Sequence, residues 1–211
     1  GQKIGEDKFK SFLSKIDVLE ETNFDIEEIG KPIKFNWGKC PLATASFGHG
    51  ITTTLLQLAK AYSIIVNGGY NVQPRLIKKK IFKKEKILNE DVSQKILPIL
   101  RKIVTTKEGT ASLADVNGYE VGGKTGTAQK SIAGGYSRKK INSFVSVFPT
   151  SKPKYVLAIM LDEPKTNQDY VYHYRDGTNI KYKGTPFNTA GWTTVETAGQ
   201  IVEKIGPILA T

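Results

Sequence analysis

The chemistry-bearing residues crowd into one stretch, Gly118 to Lys130, GYEVGGKTGTAQK. Gly118 with Gly123-Lys124-Thr125 satisfies G-x-x-x-x-G-K-[ST], the spacing of a phosphate-cradling loop. The downstream run YVLAIMLDE, closing on Asp162-Glu163, imitates the apolar strand and acidic end that accompany such loops. A phosphate loop needs a buried strand feeding the first Gly and a helix starting at the Lys, so that amide groups and the helix N-terminus meet the phosphates. Neither flank fits. TASLADVN before Gly118 has little apolar content, and GTAQKSIAGGYSRKK after Thr125 is broken by Gly126, Gly134 and Gly135 with no helical stripe. The alternative is that Lys124-Thr125-Gly126 is the K-T-G element of serine acyl-transferases that also use S-x-x-K and S-x-N. There a strand-borne Lys directs positive charge at a substrate carboxylate and the catalytic hydroxyls. Thr side chains donate to that carboxylate, and Gly clears room for substrate to lie along the strand. A bare K-T-G is a weak signal, because a solvated strand lysine is the plain alternative.

The elements that must position this stretch are readable from periodicity. Ile4 to Val18 carries an approximate helical stripe through Phe9, Phe12, Leu13 and Ile16. Glu20 to Lys39 has no sustained period and reads as a long surface excursion that includes Trp37. TTTLLQLAKAYSIIVNGG predicts a helix with Leu55, Leu58, Ala59, Tyr62, Ile65 and Val66 on its inner face and a stop at Asn67-Gly68-Gly69. Val72 to Phe82, interrupted by Pro74 and rich in Ile and Lys, suits an exposed strand or hairpin. Asp91 and Ser93 offer caps for a helix from Val92 to Thr106, with Pro98 as a kink. Three strands follow at Tyr119–Lys130, Ile141–Phe148 and Lys154–Asp162, the last reading as buried on both faces. A final helix starts near Thr193. Strands flanked by helices before and after predict an α+β fold, an antiparallel sheet with helices packed against it.

Several segments resemble, in order, those of the penicillin-binding transpeptidases. These are ASFGHGITTTLLQLAKAYSIIVNGGYNVQPRL from Ala45, Glu108-Gly109-Thr110-Ala111, GGKTGTAQK and SFVSVFPTSKPKYVLAIMLDEP. The tail FNTAGWTTVETAGQIVEKIGPIL resembles the last helix of the division-type (septal, class B) enzymes, particularly the α-proteobacterial kind. The resemblance covers nearly the whole chain and implies the fold shared by these enzymes and serine β-lactamases. It further implies a peptidoglycan D,D-transpeptidase that is acylated on serine by D-Ala-D-Ala stem peptides and by β-lactams, uses no cofactor or metal, and works with other division membrane proteins. Carried over by residue, Lys124 belongs to the active-site charge and proton network. Thr125, Gly126 and Thr127 form the substrate and β-lactam carboxylate site, and the Thr127 amide is an oxyanion donor. The family's N-terminal membrane anchor and periplasmic catalytic domain imply a location on the outer face of the inner membrane.

One departure is serious. S-x-N occurs nowhere, and S-x-x-K occurs only at Ser137–Lys140 and Ser151–Lys154, downstream of K-T-G. With 11 Ser and 27 Lys in 211 residues, about one such match is expected by chance. Residues 1–211 therefore read as the C-terminal part of one transpeptidase domain, without nucleophile or anchor and inactive alone. A non-catalytic penicillin-binding sensor or scaffold that keeps only the carboxylate site is the alternative.

The remaining residues carry less. One cysteine and two histidines leave no zinc cluster and no internal disulfide. Cys40 reads as a small, partly buried residue, His49 as a turn-fixing loop residue, His173 as part of a Tyr-rich loop and Trp192 as an anchor of the last helix to the sheet. The net charge of +11 is concentrated in Arg75 to Lys86, RLIKKKIFKKEK. Lys rather than Arg dominates it, which suits a solvated or wall-facing surface better than nucleic acid.

Overall fold

The computed structural model describes residues 1–26, 29–78, 85–133, 135–184 and 187–209. The chain divides into two compact units, residues 1–93 and 94–211.

In the first unit, helices α1 (Glu6–Lys15), α2 (Lys39–Ala45) and α3 (Leu55–Val66) surround a small core. The α3 start is closed by a capping box: Gln57 N–H donates to Thr54 Oγ1 at 3.2 Å and Thr54 N–H to Gln57 Oε1 at 2.8 Å. Its end falls where Asn67-Gly68-Gly69 predicts, with both glycines at positive φ. The inner face differs from the apolar pattern. Gln57, Lys60, Ala61, Ile64 and Val66 are buried, while Leu55, Leu58 and Tyr62 are only half-buried. The polar pair is buried because its partners are there: Gln57 Nε2 donates to the Asp17, Val18 and Glu20 carbonyls, and the Lys60 ammonium pairs with Asp17. Within α1 itself no residue of the predicted stripe is fully buried. Ile16 and Val18, just past the helix, join Ala61 and Ile64 in the core.

The excursion after α1 holds no helix or strand among its described residues before α2, and Trp37 packs edge-on against Phe35 and Phe9 at 4.8 and 6.3 Å. Cys40 is exposed, contrary to expectation, because α2 turns Leu42 and Ala45 inward instead. Within the basic stretch, residues 79–84 lie outside the described set. Its last residues run antiparallel to the chain before it through the Tyr70–Lys86 bridge and an Asn71 N–H to Glu85 carbonyl bond of 2.7 Å, but residues 72–78 form no strand. Helix α4 (Glu90–Thr105) begins two residues before the predicted Val92. Ser93 is not its cap: its hydroxyl accepts Gly68 N–H and donates to the Ile65 carbonyl.

In the second unit an antiparallel sheet of order β1-β2-β3 is formed by Gly122–Ile132, Gly135–Phe148 and Tyr155–Asp162. Helix α5 (Thr194–Leu209) buries Val195, Ala198 and Val202 in one core with Phe144, Phe148 and Ile159. The antiparallel α+β expectation therefore holds. The strand buried on both faces is β2, where Phe144, Val145, Val147 and Phe148 are all buried. β3 is an edge strand whose Met160 is 53% exposed. Its apolar composition cannot by itself distinguish a central from an edge position. A second sheet, β4 (Val171–His173) with β5 (Lys181–Lys183), stands where the sequence reads as a loop.

Candidate active site

Strand β1 carries the K-T-G element in its interior, and no helix begins at Lys124. That geometry removes the phosphate-loop reading, since successive amides of a strand point alternately to either side rather than into one anion nest. At Gly123 glycine is required by close approach to backbone. A Cβ on Gly123 would lie 2.6 Å from the Phe144 ring and 2.7 Å from the Val145 carbonyl; one on Gly126 would lie 2.5 Å from Ser143 Oγ. The room at Gly126 thus serves the neighbouring strand, where the sequence suggests room for substrate.

Strand alternation divides the element between two faces. Thr125 and Thr127 pair across with Phe144 and Asn142, on the face that α5 covers. Lys124 pairs with Val145 on the other face, where it is exposed and its Nζ donates to the Thr125 carbonyl at 2.8 Å. A cavity of about 370 Å³ gathers Thr125 and Thr127 with Thr110 and Thr189; Lys124 does not line it. Tyr174 and Trp192 supply its aromatic wall, and Gly109, Ala190 and Gly191 bring backbone to it. β1 pairs only with β2 among the described residues, so alternate N–H groups of β1 face away from the sheet, as an extended peptide added along this edge would need.

The segment that closes the cavity is stitched to β2. Buried Asn142 donates through Nδ2 to the Asn188 carbonyl at 3.0 Å and to Thr193 Oγ1 at 2.8 Å, and Lys140 Nζ donates to Asn188 Oδ1 at 2.7 Å. These bonds set a single 3-10 turn, Ala190–Trp192, against β1, and Ala190 N–H donates to Thr127 Oγ1 at 3.1 Å. On the opposite side, Thr110 Oγ1 lies 2.9 Å from Thr125 Oγ1.

The aromatic wall rests on a buried ion pair. Arg175 donates to both Glu196 oxygens at 2.9 Å, with both side chains 6% exposed, and also to the Leu113 and His173 carbonyls and to Glu203. Tyr170 donates to Glu196 Oε1; burial and then the Glu196 charge push its hydroxyl pKa above the ordinary phenol value. Trp192 meets Tyr172 edge-on and Tyr182 at a tilt, at 5.1 and 5.3 Å, which ties the turn before α5 to the β4–β5 hairpin as well as to the core shared with the three-stranded sheet. His173 is exposed on β4, and His49 stacks tilted on Phe47 in the first unit, at 5.5 Å. Among the described residues no three His, Cys, Asp or Glu side chains gather as metal ligands.

The sequence assigns no role to Thr110 or Ala190, although both fall in segments that resemble the family, and none to the Arg175–Glu196 pair. The hairpin carried an overlooked signal: Asp176-Gly177 lies between the alternating runs VYHY and IKYK, a recognised turn signature. Asp176 Oδ1 accepts from the Thr178 amide at 2.9 Å and hydroxyl at 2.6 Å, and Gly177 has φ 95°.

The second unit is thus an α+β arrangement whose edge strand brings Thr125 of K-T-G and the following Thr127 to one hydroxyl-lined cavity. Residues 1–178 match the model of the penicillin-binding protein transpeptidase domain, and the chain belongs to that family. It is 29% identical over 99% of its length to the probable peptidoglycan D,D-transpeptidase FtsI of Caulobacter vibrioides, covering 35% of that protein. To stage V sporulation protein D of Bacillus subtilis it is 34% identical over 78% of the chain and 28% of the relative. Among solved structures, the transpeptidase domain of Burkholderia pseudomallei penicillin-binding protein 3 superposes with TM-score 0.77 at 24% identity, over 96% of this chain and 57% of that one. Mycobacterium tuberculosis penicillin-binding protein 3 complexed with ampicillin does so with TM-score 0.77 at 25% identity, over 97% and 47%. The chain thus spans about a third of these curated relatives and about half of these solved chains.

Proposed function

We propose that these 211 residues supply the K-T-G half of a serine-type peptidoglycan D,D-transpeptidase that cross-links stem peptides during septal wall synthesis and is acylated by β-lactams. One observation carries the reading: Thr125 and Thr127, alternate residues of an edge strand, turn their hydroxyls into one cavity. Two hydroxyl donors at the mouth of a strand edge suit the terminal carboxylate of a D-Ala-D-Ala donor or of a β-lactam lying along β1. Lys124, exposed on the opposite face, supplies positive charge and proton donors to a nucleophile that approaches from that side. The Thr127 amide serves as one oxyanion donor, a contribution of about 2.7–4 kcal/mol to transition-state stabilisation in comparable sites.

The nucleophilic serine and the S-x-N element belong to sequence outside these residues, since both S-x-x-K matches follow K-T-G. The whole protein is then anchored in the inner membrane with this domain in the periplasm, alongside other division proteins. Among the described residues no helix is long and apolar enough to cross a membrane.

Fluorescent penicillin tests the division of labour. The 211-residue chain forms no boiling-resistant labelled band, whereas the same chain extended through its upstream S-x-x-K and S-x-N is labelled, and Thr127→Val in that longer protein slows labelling. An acylated serine mapped within residues 1–211 overturns the reading.

A further inference from the structure

We propose that Thr110 is a positioning residue: its hydroxyl donates to Thr125 and thereby turns the Thr125 proton into the cavity, committing the site to an anionic ligand. This inference rests on the carboxylate reading of the Thr125–Thr127 pair and names the groups that enforce it.

A threonine hydroxyl has one proton to give and lone pairs to receive. If that proton is engaged by the protein, the oxygen can only accept, and two such oxygens would repel a carboxylate. The structure arranges the reverse at both threonines. Ala190 N–H donates to Thr127 Oγ1 at 3.1 Å, and an amide can only donate, so the Thr127 proton remains available for the cavity. Thr110 Oγ1, at 2.9 Å from Thr125 Oγ1, occupies the corresponding place at the other hydroxyl. That bond has no direction fixed by chemistry alone, because either oxygen can be the donor. A carboxylate in the cavity fixes it. The anion offers only lone pairs, so Thr125 must donate to it and Thr110 must donate to Thr125. The resulting chain, Thr110 to Thr125 to carboxylate, is polarised in one sense, and each link strengthens the next.

The two backing groups come from opposite directions in the sequence. Thr110 follows the turn after α4, and Ala190 opens the 3-10 turn before α5. Both line the cavity with the threonines they back. Thr110 is exposed, so replacing its hydroxyl with a methyl leaves no buried orphan group.

The test is binding of N-acetyl-D-alanyl-D-alanine and its C-terminal carboxamide to the 211-residue chain, followed by NMR at the Thr125 and Thr127 amides. Thr110→Val weakens binding of the free acid about tenfold, the loss of one charge-assisted relay. Binding of the carboxamide falls less than about twofold, because its NH₂ group can donate to a hydroxyl that accepts. Thr110→Ser restores acid binding, since only the hydroxyl is needed. If Thr127→Val weakens the acid but Thr110→Val does not, the Thr110 role is overturned and the carboxylate reading stands. Equal loss of acid and carboxamide in Thr110→Val without rescue by Ser shows a merely structural contact and also overturns it. If the unmodified chain does not prefer the acid to the carboxamide, the carboxylate reading fails and takes this inference with it.

Discussion

The two faces of β1 are built to different standards. On one, Thr125 and Thr127 meet groups delivered from positions 110 and 190, behind which the Asn142 Nδ2 group and the Arg175–Glu196 pair are hydrogen-bonded. On the other, Lys124 is exposed and its ammonium donates to the carbonyl of the next residue. The first face is pre-organised and the second is adjustable. Such a division suits a site in which carboxylate binding requires fixed donors while a flexible ammonium follows moving charge.

The largest break in this contrast comes from the support of the organised face. Glu196→Ala leaves the buried Arg175 guanidinium without its two-oxygen partner and lowers unfolding stability by about 3–5 kcal/mol. Lys124→Ala, on the adjustable face, changes stability by less than about 0.5 kcal/mol. Thermal or denaturant unfolding of the two variants measures the difference directly. Comparable losses would mean that the lysine face is also load-carrying.

A smaller effect tests why the strand contains Gly126. Gly126→Ala drives a Cβ to 2.5 Å from Ser143 Oγ, a hydroxyl that can turn away, and costs about 1 kcal/mol as overpacking. Adding Ser143→Ala removes the obstructing oxygen and recovers most of the loss. Failure of that second substitution to rescue would place the strain in the backbone instead.

The smallest effect lies at the far end of the sheet, where exposed charges tie β1 to β3. Lys130 donates to Asp162 and Glu163, and Glu163 also pairs with Lys139. The Lys130 and Lys139 ammoniums hold the Glu163 carboxyl below its ordinary value of 4.5. A depressed carboxyl contributes stability above its unfolded pKa and loses it as pH falls through the folded value. Amide protection factors near Lys130, corrected for the intrinsic exchange rate at each pH, therefore fall as the pH drops below about 4.5, and Glu163→Gln flattens that acid limb.

Much of the frame was legible because it depends on local pattern. The three strands, α3 with its Asn-Gly-Gly stop and α5 follow from apolar period and breaker residues. K-T-G reads as strand because its glycines and the absence of a helical stripe exclude the alternative. What escaped the sequence was exposure and contact. YVLAIML is equally apolar as an edge or a central strand, and Gln57 and Lys60 are buried only because Asp17 and the Val18 and Glu20 carbonyls wait for them.

The sequence by itself determined that one strand would carry Lys124, Thr125 and Thr127, whereas its reading aimed the lysine at the same carboxylate and the structure parts it from the cavity the threonines line. Only the tertiary structure decided which hydroxyls and amides would stand behind those threonines. Thr110 is 15 positions upstream of Thr125 and Ala190 is 63 downstream of Thr127. Contacts over such distances are set by strand register and by the packing of α5 and the Ala190–Trp192 turn, to which local propensity is blind.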